Sequence, residues 1–272
     1  MQTPISLSRA NRRSTWIAAS LLLPSIVSLA EAQTPEQAGR DIAVEADRRA
    51  RGYHDFTARL TMVLRNRDGK EKTREMRVMG LETADGDRTL VVFDLPRDLQ
   101  GTALLTVSRV GESDDQWLYL PALKRVKRIA SNNQSGSFMG SEFSYEDIGS
   151  QELEKFKYRY LGEELVDGQE SFVVERVPLD SRSGYSRQVV WLDKKEYRVR
   201  RIDYYDRGTE RLKTLMMKGY GLHADKYWRP SEMVMTNHRT GKATTLRWSQ
   251  YEFGAGLEEQ DFTRTSLERV RS

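Results

Sequence analysis

The chain has 272 residues, no cysteine, three histidines, and 44 basic against 40 acidic side chains, for a formal net charge of +4. Without thiols it has no disulfide, no cysteine nucleophile, no lipidated N-terminal cysteine and no cysteine-built zinc site. So even a charge balance argues against nucleic acid as a partner, because neutralising phosphates takes a marked excess of cations.

Residues 1–32 have the anatomy of a secretory signal peptide. Arg9, Arg12 and Arg13 precede an apolar run from Trp16 to Leu29, and Ala30-Glu31-Ala32 forms a small-x-small cleavage site. Pro24 interrupts the run, which falls short of the roughly 20 apolar residues of a spanning helix. The expectation is cleavage before Gln33 and a soluble periplasmic protein that is not lipidated. Residues 33–272 are then long enough to bury the core of one large domain.

Thr34-Pro35-Glu36-Gln37 reads as a helix start, with a threonine cap, proline in the first turn and Gln37 placed for a capping box. Ile42, Ala43, Ala46 and Ala50 recur at helical spacing, and Gly52 marks the stop. After Gly52 the period changes to two: Phe56, Ala58, Leu60, Met62 and Leu64 share one face. Alternating segments continue to Phe253, with turn signals at Asp68-Gly69, Asp167-Gly168, Arg207-Gly208 and Thr240-Gly241. About a dozen short strands without helix–strand alternation predict a mainly β protein, a single antiparallel sheet with a few helices. In QWLYLP (116–121) both faces are apolar, which places that strand under cover on both sides.

The catalytic inventory is thin. His54, His223 and His238 lack metal-ligand spacing, and no nucleophile elbow or phosphate-binding loop occurs. Glu142, Glu146 and Asp147 are close enough in sequence for acid–base work, but carboxylates at a helix start are also favoured by its dipole. No enzyme activity, metal or cofactor is expected. The run KRVKR, at 124–128, alternates as a strand would, and its exposed Lys124, Arg125, Lys127 and Arg128 suit either a solvated arm or docking to an anionic surface.

Three blocks carry a family resemblance: QWLYLPALKRVKRIASNNQSGSFMGSEFSYEDI (116–148), VVWLDKKEYRVRRIDYYDRG (189–208) and TNHRTGKATTLRWSQYEFGAGLEEQDFT (236–263). They resemble outer-membrane lipoprotein-sorting proteins of the LolA-like superfamily, in the larger branch met beside RND-type exporters. The resemblance implies a curved, unclosed half-barrel of antiparallel strands, capped by helices, with an apolar cavity for acyl chains. It also implies a carrier of lipid or lipoprotein acyl chains, moving them from an inner-membrane exporter of the RND type towards the outer membrane. A sensor that uses the same cavity to control a membrane partner is the alternative, and an envelope hydrolase a weaker one.

Adaptable methionines such as Met62, and amphipathic aromatics such as Trp117, Tyr119 and Trp191, suit the walls and mouth of such a cavity. Residues 129–148 are expected to form a mobile loop and short helix over the mouth, turning Phe138, Met139 and Phe143 inward. In that reading the sheet does not depend on the loop for its stability.

Overall fold

The computed structural model describes residues 33–149 and 151–269, with Met1 and Thr3 as isolated positions. The expected signal peptide otherwise lies outside the described residues, and residues 33–272 form a unit of their own. Among the described residues no helix is long and apolar enough to cross a membrane.

Helix α1, Pro35–Ala50, starts where its sequence dictates: the Gln37 N–H donates to Thr34 Oγ1 at 3.2 Å. Gln37 does not close a capping box, because its side chain donates to Asp41 at 2.6 Å instead. Thirteen strands follow among the described residues. The first six are β1 Asp55–Arg65, β2 Glu71–Leu81, β3 Arg88–Leu95, β4 Ala103–Val107, β5 Asp115–Leu120 and β6 Arg125–Ile129. A short helix α2, Tyr145–Ile148, interrupts them before β7 Phe156–Val166, β8 Gln169–Pro178, β9 Tyr185–Asp193 and β10 Val199–Asp206. Strands β11 Arg211–His223, β12 Tyr227–Asn237 and β13 Ala243–Phe253 precede a last helix, α3 Arg264–Arg269.

All pairings are antiparallel, in the order β6-β5-β4-β3-β2-β1-β13-β12-β11-β10-β9-β8-β7. Strand β1 pairs with β13, so the two ends of the sheet sequence meet in its middle. The edges β6 and β7 do not pair with one another, which leaves an open half-barrel rather than a closed one. This is the architecture the alternation and the resemblance call for.

Strand alternation gives the sheet two apolar faces. The concave face holds the main core, including Leu60, Met62, Phe93, Leu118, Val190, Ile202 and Leu246. Helix α1 packs its Ile42, Ala43 and Ala46 onto this face. It approaches β7 so closely at Gly39 that a Cβ there would meet Tyr160 N at 2.6 Å and Arg159 C at 2.7 Å. Only glycine fits that backbone-to-backbone contact.

The convex face carries two smaller clusters. In one, Leu90, Val92, Ala103 and Leu105 are covered by Phe262 and by Leu267 of α3. In the other, Val166, Val173, Val189 and Trp191 pack together. This corrects three expectations. Trp117 and Tyr119 lie in the first convex cluster, opposite Leu105 and Ala103, while Leu118 faces the concave core. Trp191 lies in the second, donating its indole N–H to Glu164 Oε2 at 2.8 Å. For Trp117 and Tyr119 the cause is the C-terminal turn and helix at 259–269, which supply a cover for outward-facing aromatics. Strand QWLYLP is indeed covered on both sides, but its larger side chains belong to the outer cover.

Candidate functional site

Residues 130–149 form a strap across one end of the concave trough. Phe138 and Phe143 point down into the core, only 1% and 2% exposed, and Met139 packs against its rim. The Phe138 ring lies 5.9 Å from Phe93 and 5.6 Å from Tyr145. Full burial of such a ring contributes about 1.5–3 kcal/mol. Met62, fully buried, belongs to this same packed region. The structure thus brings Met62, Phe138, Met139 and Phe143 together, as filling of the core.

Polar side chains tie the strap to strands on both flanks. Arg74 of β2 donates to the Met139 carbonyl at 2.6 Å, and Gln116 of β5 donates to the Tyr145 carbonyl at 2.9 Å. Across the trough, Asn237 donates to Glu142 at 2.7 Å, and the Glu142 N–H donates to Thr244 Oγ1 at 2.9 Å. Asp147 accepts from the Ser144 N–H at 2.7 Å and from the Tyr185 hydroxyl at 2.9 Å, with Lys213 Nζ 3.8 Å away. Burial, with Asp147 close by, pushes the Tyr185 hydroxyl well above its ordinary pKa. Glu146 accepts from Ser183 Oγ at 2.9 Å and the Gly184 N–H at 3.0 Å; burial, then the neighbouring Asp147, raises its carboxyl to about 7. Each of the three clustered carboxylates therefore anchors the strap to a strand or loop of the sheet.

Beyond the strap, under α1, the trough stays open. A cavity of about 580 Å³ lies between α1 and strands β7 to β12, within the roughly 300–1,000 Å³ of small-molecule sites. Tyr158, Val174, Val190, Leu192, Val199 and Met217 make its floor, and Ala43 and Ala46 of α1 its roof. Sequence reasoning reached Met217 only through its general case for methionine walls and placed none of the others in the site. Tyr158 alternates with Phe156 and Leu192 follows Trp191, so the signal was the alternate position of strands already recognised. An aromatic row lies beside the lining residue Arg229: Tyr53 lies 5.6 Å from Phe56 and 5.9 Å from Tyr227, and Tyr251 stacks on Phe253 at 6.0 Å.

A larger cleft, about 790 Å³, lies beside the strap. Its charges neutralise one another: Arg109 and Arg128 pair with Asp115, Lys155 with Asp114, and Arg182 with Asp180. Such a surface offers water-like partners to any ligand, and we assign the site to the smaller, apolar cavity.

The basic run sits at the β6 edge. Lys124 is not in the strand but in a left-handed turn, φ 47°, after the short 3₁₀ segment Pro121–Leu123. Arg125, Lys127 and Arg128 follow in β6, all exposed, with Arg128 bonded to Asp115 at 2.5 Å. Cations on an unpaired edge also deter sheet-to-sheet pairing.

Among curated proteins none matches the chain. A family model described only as an uncharacterised protein matches residues 85–269. Among solved structures, a putative outer membrane lipoprotein-sorting protein domain from Vibrio parahaemolyticus is 50% identical, with a TM-score of 0.84 over 86% of this chain and 100% of that one. A DUF1329 family protein from Desulfovibrio piger is 33% identical, with a TM-score of 0.82 over the same shares of the two chains. A LolA superfamily protein from Nitrosomonas europaea, 19% identical with a TM-score of 0.69 over 86% and 100%, shares the fold.

Proposed function

The chain belongs to the outer-membrane lipoprotein-sorting proteins of the LolA-like superfamily, and from that premise we propose that it is a periplasmic carrier whose cavity under α1 binds lipid or lipoprotein acyl chains. The cargo comes from an inner-membrane exporter of the RND type and passes outward by binding and release, without covalent chemistry. Lys124, Arg125, Lys127 and Arg128 make transient contact with an anionic membrane surface during the exchange.

One observation carries the reading. The concave face is filled by the chain's own side chains at the strap, yet the apolar floor drawn from β7 to β11 borders a cavity of about 580 Å³ beneath α1. Burying an alkyl chain there stabilises the complex by about 0.8 kcal/mol per methylene, so a partly inserted chain is already held. The test is native mass spectrometry of protein released by osmotic shock, followed by lipid extraction. The carrier retains a lipid adduct and binds a fluorescent fatty acid. Protein that starts before Gln33, or that neither carries nor binds lipid, contradicts the reading.

A further inference from the structure

An acyl cavity needs only apolar walls, yet this one is lined by six cations and two carboxylates: Arg48, Arg49, Arg176, Arg198, Lys226 and Arg229 against Asp47 and Glu196. Arg48 and Arg49 are paired with Glu45, and Arg198 Nε donates to Asp193 at 2.7 Å. The other three have no carboxylate partner among the described residues. Arg176 donates to the side-chain oxygens of Gln188 at 2.6 Å and Gln151 at 3.1 Å, and lies 4.7 Å over the Phe156 ring. Arg229 donates to the Trp228 and Ala50 carbonyls at 3.1 and 3.0 Å, beside the rings of Tyr53, 5.1 Å away, and Phe253, 5.5 Å away. Lys226 Nζ lies 5.0 Å from the Tyr227 ring. Just behind the wall, Arg200 Nε is buried without a hydrogen-bond partner, its guanidinium 5.8 Å from the ring of the cavity residue Tyr220.

Two of the cations without a carboxylate partner, Lys226 and Arg229, share one mouth, 5.0 and 5.8 Å from the Tyr227 ring. Arg229 reaches the last residue of α1 and Lys226 stands in the β11–β12 turn, while Arg198, already paired with Asp193, lies 4.6 Å over Trp228 of β12. The Arg229 guanidinium, with only carbonyl acceptors and aromatic neighbours, keeps its charge but loses much of its hydration. An oxyanion at that mouth restores a charge-assisted bond, while a neutral or cationic head leaves the cost uncompensated.

We propose that the cargo is an anionic amphiphile, its acyl chain on the apolar floor and its carboxylate or phosphate head at Lys226 and Arg229. This rests on the carrier reading of the same cavity and names its ligand class.

The test uses calorimetric titration of the mature protein with three probes of equal chain length, below their micellar concentrations: hexadecanoate, hexadecanoyl lysophosphatidylglycerol and neutral 1-hexadecanoylglycerol. At least one anionic probe is expected to bind roughly tenfold tighter than the neutral one, the gain of a hydrogen bond to a charged group. Preference for hexadecanoate alone identifies a fatty acid as the cargo; preference for the lysolipid alone identifies a phospholipid. The double variant Lys226→Gln with Arg229→Gln is expected to abolish the preference and keep the affinity for the neutral probe. Because Arg229 also holds the end of α1, the exposed Lys226→Gln alone provides a second reading. It is expected to reduce the preference roughly threefold at an unchanged Tm. Equal affinity for all three probes overturns the headgroup assignment and leaves the carrier reading standing. No binding of any probe overturns the carrier reading and the headgroup assignment with it.

Discussion

Where the strap crosses the trough, the concave face is filled by the protein itself; under α1, between β7 and β12, the same kind of face is left open. Both regions are lined by side chains from one continuous sheet, so composition does not separate them. The cover does. The strap delivers two phenylalanines to full depth and fixes them with part-buried polar ties, whereas α1 contributes small residues such as Ala43 and Ala46 and stands over a cavity. A fold that packs one half with its own rings and spans the other with alanines keeps binding capacity where loss of packing costs it least.

That contrast can be broken from its filled side first. Phe138→Ala is expected to destabilise the protein by about 3–5 kcal/mol in urea unfolding, because the site is closed on every side. This reverses the expectation that the loop can be emptied while the sheet keeps its melting behaviour. An unchanged midpoint would make the strap a detachable lid and erase the distinction between the two halves. Next, Lys213→Met leaves the Asp147 carboxylate buried without its cation and is expected to cost about 3 kcal/mol, with partial recovery when Asp147→Asn is added.

The strap should also respond to pH. Glu146 has its folded carboxyl raised from 4.5 to about 7 by burial, so its protonated form is the one the fold favours. Its contribution is complete below pH 4.5 and disappears as pH rises through about 7, on the order of 3 kcal/mol. Hydrogen exchange of residues 134–148 is expected to quicken over that interval, and Glu146→Gln to flatten the profile. The smallest effect on stability belongs to the open half. Met217→Trp puts a ring into empty space and is expected to change stability by no more than about 1 kcal/mol, yet to weaken fatty-acid binding at least tenfold. A large loss of stability there would mean that the cavity wall is as tightly packed as the strap.

Much of the fold was legible in the sequence. Period-two alternation and glycine turns gave the strands, and Thr34-Pro35 gave the opening helix with its cap. The site was legible only in part, because alternation separates two faces without saying which is concave. Trp117 and Leu118 are equally apolar; their assignment depends on α3, six residues long and carrying only Leu267 as a buried residue, too little to register as a helical period. Large aromatics therefore drew attention to the convex side. The cavity floor, Tyr158, Val174, Val190 and Leu192, sits on strands whose inward face becomes identifiable only once α1 is seen above it. The strap phenylalanines were found because a polar, glycine-rich run made them conspicuous. Their role as permanent packing follows from ties to residues as distant in sequence as Arg74 and Thr244.

The most direct test of the account is photo-crosslinking with a diazirine-bearing fatty acid, followed by peptide mapping. Labels are expected in residues 43–50, 153–158, 174–199 and 217–230, the two sides of the open half, and to vanish with Met217→Trp. Labels concentrated instead in 138–143 and in β2 to β5, or spread evenly over the chain, would contradict the division of the trough and place the ligand where the strap now lies.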